Sequence, residues 1–499
     1  MKYIITSVLV LLILFTGCNG QKVDIQKNVE ETSQNDNGDQ VQVDSKDDTK
    51  IKEETSQNNN GDQVEENSKD DAKIKEETDL KDNKDLETKN EPTETIEDNE
   101  VVFNDEINTS NTQEEENKTS NDEINTPNTQ EEENKTSNDE INTSNTQDDA
   151  EEELTSRSYY MGFSTWAAGT SIEDLEKTNN LINKKADIVS YHFDNGIPWV
   201  EAYNHENYSD NLLNNWAYKN ANIKDNQKVF VSITPISFSR DQLAAYWGEN
   251  EGMELPSEWK DLEFNDEKVK TAFLNYAKDV VENLNPDYLA LGIEVNLLSE
   301  KDPEKWEKYK ELYKETYDAL KSEYPNLKIF ATVGYETLSD KTNEKYEYEK
   351  KEIEDLCSMH CDLIGISVYP YFPSYWKDGQ RVEVPETFFD NLLEFNKPLA
   401  ISETGFASKN FVSGGTTFEL TEKDQVQYFE VLLDKANEYD FEFIINWANV
   451  DFDGMLEVIP EGPTRDLATV WAYSGLQNYD GTDKEVVELW DKYFELEVK

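Results

Sequence analysis

Aromatic residues are almost missing from the first third of this chain, where Phe103 is the only one between Asn19 and Ser156. A segment with so little apolar surface cannot offset the entropy lost on ordering its backbone, so the sequence predicts disorder over residues 19 to 156. Histidine and cysteine are scarce too, with three of each in 499 residues. Cys18 stands alone near the N terminus, whereas Cys357 and Cys361 lie four apart with His360 between them. That spacing fits no standard zinc pattern and lacks a fourth ligand, so no metal is expected, and no cofactor is implied. Helical spacing of four brings two Cα atoms near the range a disulfide permits, which leaves two readings, a disulfide in an oxidising compartment or a pair of buried free thiols. Basic residues are also few. Residues 19 to 156 hold 43 acids against 13 lysines, residues 157 to 499 hold 65 acids against 33 basic residues, and the net charge is −61. A field of that sign repels phosphate backbones and polyanionic polymers, which argues against nucleic acid and acidic polysaccharide as partners and leaves neutral or cationic substrates.

What is present begins with Met1-Lys2-Tyr3, an apolar run from Ile4 to Phe15, and Thr16-Gly17-Cys18. The run is short for a membrane span and reads as a secretion signal. Phe15-Thr16-Gly17-Cys18 resembles the lipobox of bacterial lipoproteins, with phenylalanine where leucine is usual. The resemblance implies that residues 1 to 18 end in an acylated Cys18, attaching the chain to the extracytoplasmic face of a membrane or to the cell surface. Two repeats follow. One of 23 residues pairs Glu31-Thr32-Ser33-Gln34-Asn35 with Glu54-Thr55-Ser56-Gln57-Asn58, and one of 17 residues opens Asn-Asp-Glu-Ile-Asn-Thr at Asn104, Asn121 and Asn138. Solenoid repeats bury an apolar face between neighbours, and one isoleucine per copy cannot supply it. Residues 19 to 156 therefore read as an acidic spacer extended by its own charge.

All ten tryptophans fall in residues 157 to 499. Eight short apolar runs alternate there with helical patterns: Tyr160 to Thr165, Asp187 to Phe193, Lys228 to Thr234, Tyr288 to Glu294, Lys328 to Val333, Leu363 to Val368, Leu399 to Glu403 and Phe443 to Trp447. Alternation of this kind is the mark of parallel βαβ units. Trp306, Tyr309, Tyr313, Leu320 and Tyr324 recur at helical intervals between a cap at Asp302-Pro303 and a stop at Pro325. Val269, Phe273, Tyr276, Val280 and Leu284 do the same, as do Val426, Phe429, Leu433 and Ala436. No Gly-rich phosphate loop follows any strand, which disfavours an open doubly wound sheet, and eight strands close a ring. The expected fold is α/β, a (β/α)8 TIM barrel acting as a monomer.

Catalytic groups of such a barrel lie at the C-terminal strand ends. Glu294 in Leu291-Gly292-Ile293-Glu294-Val295-Asn296 and Glu403 in Leu399-Ala400-Ile401-Ser402-Glu403-Thr404-Gly405 interrupt apolar runs at the fourth and seventh. An ionised group there is costly unless paired or used. A retaining glycosidase needs one carboxylate as nucleophile and a second carboxyl group as acid/base, about 5 to 5.5 Å apart. The alternative for both residues is a salt-bridged strand-end acid. Trp166, Trp199, Tyr335, Tyr371 and Trp447 lie at or beyond strand ends, where their faces would stack on sugar rings or pack into loops. His192 ends the second strand as a candidate substrate donor or a satisfied core histidine, and Glu336 is either a third cleft carboxylate or a solvated loop acid.

Glutamates ending strands four and seven resemble clan A of the glycoside hydrolases, and Asp362-Leu363-Ile364-Gly365-Ile366-Ser367-Val368-Tyr369-Pro370 is most similar to the sixth strand of the endo-β-1,4-galactanase family. The resemblance implies a retaining enzyme with Glu294 as acid/base and Glu403 as nucleophile. It further implies that Tyr369 hydrogen-bonds the nucleophile and that Trp447, after Asn446, floors the subsite of cleavage. One position departs. Clan members usually carry asparagine before the acid/base, in contact with the sugar 2-hydroxyl, and this chain has Ile293, so either Asn296 or another side chain supplies that contact, or the substrate is unusual, or activity is reduced. The expected function is hydrolysis of β-linked neutral poly- or oligosaccharide outside the cell. Ile293 motivates an alternative, a surface glycan-binding lipoprotein without efficient chemistry, and a scaffold role in wall anchoring is a third.

Overall fold

A computed structural model describes residues 154–371 and 383–499, with the backbone of two short strands between them at Trp376–Lys377 and Gln380–Arg381. The lipobox with Cys18 and the acidic repeats as far as residue 153 lie outside the described residues.

Eight parallel strands close a barrel in chain order. They are β1 (Tyr160–Ser164), β2 (Ile188–Phe193), β3 (Lys228–Ile233), β4 (Tyr288–Ala290), β5 (Lys328–Gly334), β6 (Ile364–Val368), β7 (Leu399–Thr404) and β8 (Phe443–Asn446). Phe443 pairs with Tyr160 and Asn446 with Phe163, which shuts the ring and leaves no open edge. Every residue of β6 and β8 is buried, as expected for strands covered by helices outside and packed side chains inside. Phe230, Phe330 and Phe443 meet across the interior with centroids 5.1 to 6.2 Å apart.

The outer layer is α1 (Ile172–Lys185), α2 (Asp210–Ala221), α3 (Glu267–Leu284), α4 (Pro303–Glu323), α5 (Tyr346–His360), α6 (Glu422–Glu438) and α7 (Val486–Phe494). Ser171 with Asp174 and Thr421 with Asp424 form capping boxes on α1 and α6, so each helix starts where an unpaired N–H finds a side-chain acceptor. Asp302 accepts from Lys305 N at 3.0 Å ahead of Pro303, as the sequence indicates for α4. One turn of the pattern is irregular. Between β6 and β7 the described residues contain only a 3-10 segment, Asp390–Phe395, in place of a full helix.

Two boundaries differ from expectation. The folded part starts before residue 157, because Ser156–Arg157 pairs in parallel with Glu497–Val498. Buried Arg157 fixes this closure by donating to Tyr493 O at 3.0 Å and pairing with Asp187. β4 stops at Ala290, four residues short of Glu294. The cysteines adopt the first of their two readings, a Cys357–Cys361 disulfide with Cα atoms 4.7 Å apart at the end of α5.

Two buried charge clusters brace the mouth of the barrel. Asp451 accepts from Lys484 Nζ at 2.5 Å and from Lys409 Nζ at 3.1 Å, and Lys484 also donates to Gly475 O at 2.8 Å and Tyr473 O at 3.1 Å. Asp451 and Lys484 are both fully enclosed. Removing one member of such a pair strands the other charge, so Lys484→Met lowers unfolding free energy by about 3 kcal/mol, read by chemical denaturation. The second cluster is Glu349, fully buried in α5, which hydrogen-bonds Glu300. Burial, the Glu300 hydrogen bond and the Glu300 charge push the Glu349 carboxyl from 4.5 up to about 8. Its folded value lies above its unfolded one, so its contribution to stability is intact below about pH 4.5 and is lost as pH rises to about 8. Melting temperature across that window declines with pH in the native chain, and Glu349→Gln, which has no proton to lose, flattens the decline.

Candidate active site

The backbone around Glu294 is irregular because it leaves the strand early. Leu291 N still donates to Phe330 O at 2.9 Å and Val295 N to Thr332 O at 2.9 Å, so the segment continues along β5 without regular pairing. Gly292 lies against Tyr309, whose hydroxyl would stand 2.1 Å from any Cβ placed there. Glu294 itself has φ +47°, a left-handed conformation that costs a branched or long side chain energy unless its surroundings impose it. Its N–H donates to Thr332 Oγ1 at 2.9 Å, which holds that geometry.

Glu403 is aimed by a bulge. Ile401 pairs with Ile366 but Glu403 pairs with Ser367, so Ser402 is the extra residue. Gly365 makes room for it, since a Cβ there would meet Phe330 at 2.7 Å and Ser402 at 3.1 Å.

Both carboxylates are then held from the end of one strand. Ser367 Oγ donates to Glu294 Oε1 at 3.0 Å, and Tyr369 OH donates to Glu403 Oε1 at 2.6 Å. Residues two apart on a strand project on the same side and lie roughly 7 Å apart, so the two glutamates converge on the space above β6. Their side chains are 25% and 14% exposed, open to a cleft and otherwise enclosed. Burial and the Glu294 charge push the Glu403 carboxyl up to about 8, against the lowering effect of Tyr369.

Arg240 completes the arrangement. It is buried, forks onto Asp194 at 2.9 and 2.8 Å, and gives a third hydrogen bond to Glu294 Oε2 at 3.1 Å. Neither Arg240 nor Asp194 was among the residues singled out in the sequence. The available signal was rarity, because the chain has four arginines against 43 lysines and a planar fork is what bidentate pairing requires.

His192 lies in this cleft, with Nδ1 3.1 Å from Ser232 Oγ and 4.0 Å from Glu403 Oε2. Burial and the Arg240 charge lower its pKa to about 3, so the ring is neutral at neutral pH. Its edge meets Trp447 at 4.9 Å, and Trp447 meets Trp166 at 5.6 Å. Both tryptophans are half-buried and flank the cleft on the β8 and β1 side. Glu336, beyond β5, is exposed, with its carboxylate turned back toward Gly334, and burial and the Glu294 charge raise it to about 7.

Four sequence expectations need correction. Trp199 is fully enclosed, donating to Ala244 O at 3.0 Å and packing on Trp259, because the segment after β3 folds over it. Tyr335 is 1% exposed and donates to Phe388 O at 2.6 Å beneath the segment before β7. Neither offers a face to a sugar, and Tyr371, donating to Val470 O at 2.9 Å, is likewise covered. Asn296 does not replace the asparagine absent at Ile293. It is buried, donating to Gly334 O at 3.0 Å and Glu349 Oε2 at 2.9 Å and accepting from Gly334 N at 2.8 Å.

Comparison with known proteins adds a likeness over part of the chain. No curated protein sequence matches the chain. Among solved structures, an exo-beta-1,4-mannosidase from Opitutaceae bacterium strain TAV5 is similar with a TM-score of 0.49 and 15% identity, over 69% of this chain and 60% of that one. Xylanase 10B from Thermotoga petrophila RKU-1 gives 0.45 and 14%, over 68% and 95%. A beta-D-glucuronidase from Dictyoglomus thermophilum gives 0.40 and 14%, over 67% of this chain and 50% of that one, so this chain spans half the length of that relative. Residues 243–444, which include Glu294, Tyr369 and Glu403, match the model of Glycosyl hydrolase family 53. Over that stretch the chain is similar to a glycoside hydrolase family, and the closed eight-stranded ring is in keeping with that likeness.

Proposed function

We propose that the barrel is a retaining hydrolase of β-linked neutral poly- or oligosaccharides, held outside the cell by lipid on Cys18 and set off from the membrane by the acidic spacer. The observation that carries the reaction is the pair of hydrogen bonds from β6, Ser367 to Glu294 and Tyr369 to Glu403, which brings two carboxyl groups to one space. The family resemblance gives Glu403 as nucleophile and Glu294 as acid/base.

In the first step a Glu403 oxygen bonds to the anomeric carbon while the glycosidic bond breaks and Glu294 gives its proton to the departing oxygen. In the second, Glu294 takes a proton from water, whose oxygen displaces Glu403 from the same carbon. The proton that burial leaves on Glu403 in the empty cleft must therefore reside on Glu294 once sugar is bound. Tyr369, donating to Glu403 Oε1, stabilises the carboxylate after that transfer. Neutral His192, near Glu403 and hydrogen-bonded to Ser232, contacts a hydroxyl of the same sugar ring, and Trp447 with Trp166 presents the apolar wall on which the ring packs.

A second reading rests on Ile293. With isoleucine at that position and Asn296 engaged in the fold, the usual contact to the 2-hydroxyl has no replacement from this segment, which favours a glycan binder with little turnover. One experiment separates the two. Glu403→Gln and Glu294→Gln are assayed for reducing-end release from a panel of β-linked neutral polysaccharides. Each lowers kcat by about a thousandfold or more while circular dichroism stays native. Glycan retained without product by the unaltered protein would establish the binder instead. Activity should also fall as pH rises beyond about 8, where Glu403 loses its proton and the site can no longer supply one. A rate that is flat from pH 6 to 10 would contradict this account.

A further inference from the structure

Beyond the two glutamates, a third carboxylate stands at the mouth of the barrel with no part in the chemistry above. Phe330 of β5 meets Phe230 and Phe443 across the interior, and side chains two apart on a strand share a face, so Thr332 and Gly334 also point inward. Gly334 has no side chain, and the room this leaves is taken by Glu336, whose Oε2 lies 3.0 Å from where a Gly334 Cβ would stand. Gly334 pairs with Ser367, the residue whose hydroxyl holds Glu294 Oε1 at 3.0 Å. Paired strands run about 4.8 Å apart, which sets the Glu336 carboxylate beside the Ser367–Glu294 contact on the inner side of the ring.

The segment that carries this carboxylate is fixed. Tyr335 N donates to Ser367 O at 3.0 Å, Ser339 N to Tyr335 O at 2.8 Å, and Ser339 Oγ to Glu336 O at 2.7 Å. Next to it, Thr337 Oγ1 donates to Glu300 Oε1 at 3.2 Å, and Lys345 Nζ compensates Glu300 at 2.6 Å. Glu336 differs. Among the described residues no cation and no side-chain donor meets its carboxylate, which faces only its own backbone N–H. The residue is exposed, so a ligand in the cleft can reach it. A carboxylate has about four acceptor positions, and holding one close to a second carboxylate with those positions unfilled is costly unless a donor arrives.

The strands follow chain order around the ring, so β5 stands across it from β1. Trp166 and Trp447 border the cleft on the β1 and β8 side, and His192 lies near Glu403. Glu336 lies on the other side, next to the residue that protonates the departing oxygen. Resting on the hydrolase reading, we infer that Glu336 accepts a hydrogen bond from a hydroxyl of the sugar on the departing side of the cleaved bond, and so selects that sugar. A hydroxyl brings the donor that the carboxylate lacks, and an ionised acceptor makes the bond charge-assisted. A methyl ether in its place loses the donor. A uronic acid would set a further negative charge against Glu336 and Glu294, so the position favours a neutral sugar.

The test uses the full chain and four β-1,4-linked tetrasaccharides, galacto-, gluco-, manno- and xylo-, with product release measured by chromatography. On the tetrasaccharide that the unaltered protein cleaves best, Glu336→Ala should lower kcat/KM about thirtyfold, and Glu336→Gln, which keeps a neutral acceptor, by less. Versions of that substrate lacking one hydroxyl at a time on the departing sugar then locate the contact. One position should cost the unaltered protein about as much as Glu336→Ala loses, and cost that variant little more. On dinitrophenyl β-glycosides of the matching disaccharides, which carry no sugar on that side, the loss in Glu336→Ala should be about tenfold smaller or less. Because the side chain is exposed, both variants should keep the native melting curve. Variants that keep their rate, equal losses on the two kinds of substrate, or deoxy losses that simply add to that of the variant would overturn the assignment and leave the hydrolase standing. Failure of the unaltered protein to cleave any of the four tetrasaccharides would overturn both.

Discussion

A buried guanidinium governs the mouth of this barrel. Arg240 bonds to Asp194 through two nitrogens and to Glu294 through one of them, so a single cation compensates two carboxylates that would otherwise be enclosed without a partner. Both ends of the Arg240–Glu294 contact have left-handed backbones, φ +56° and +47°. Strain at two residues joined by an ion pair indicates that the contact and the surrounding hydrogen bonds, and not local preference, set their positions. The regular pairing of β4 ends at Ala290 as part of the same arrangement, since a strand continued to Glu294 in standard geometry would not place it where Arg240 and Ser367 reach it.

From that anchor the electrostatics run across the cleft in a definite sense. Among the described pairs Glu403 has no cation in contact, the neutral His192 ring standing at 4.0 Å, and its carboxyl is raised. Glu294 has Arg240 at 3.1 Å. His192 cannot charge near neutrality because burial and the Arg240 charge oppose it, so it does not neutralise Glu403. The Glu403 carboxyl thus holds its proton over a range in which a solvated glutamate has lost it.

How far the sequence discloses this depends on whether a feature is local. The eight apolar runs are visible because a strand buried on both sides must be apolar along its length, and the cap of α4 is visible because it is fixed by neighbouring residues. Glu294 and Glu403 interrupt those runs and are conspicuous for that reason. Trp199 and Tyr335 mislead because exposure at a strand end is decided by distant segments, here those carrying Ala244 and Phe388. Arg240 leaves no periodic trace, since it comes from an irregular loop and meets partners 46 and 54 residues away. The 3-10 segment at Asp390–Phe395 is hidden likewise, because a short apolar stretch does not by itself distinguish one helical turn from a full helix.

Ile293 brings these strands of reasoning to one point. A residue just before Glu294 could offer the cleft a hydrogen bond only if the backbone there presented a polar side chain to it. Here Ile293 is 2% exposed, and the next polar residue, Asn296, spends both of its amide atoms on Gly334 and Glu349. The segment after β4 is thus structural on either side of Glu294. Hydrogen bonds that hold a sugar ring can come from either side of the cleft provided the anomeric carbon still lies between the two carboxyl groups.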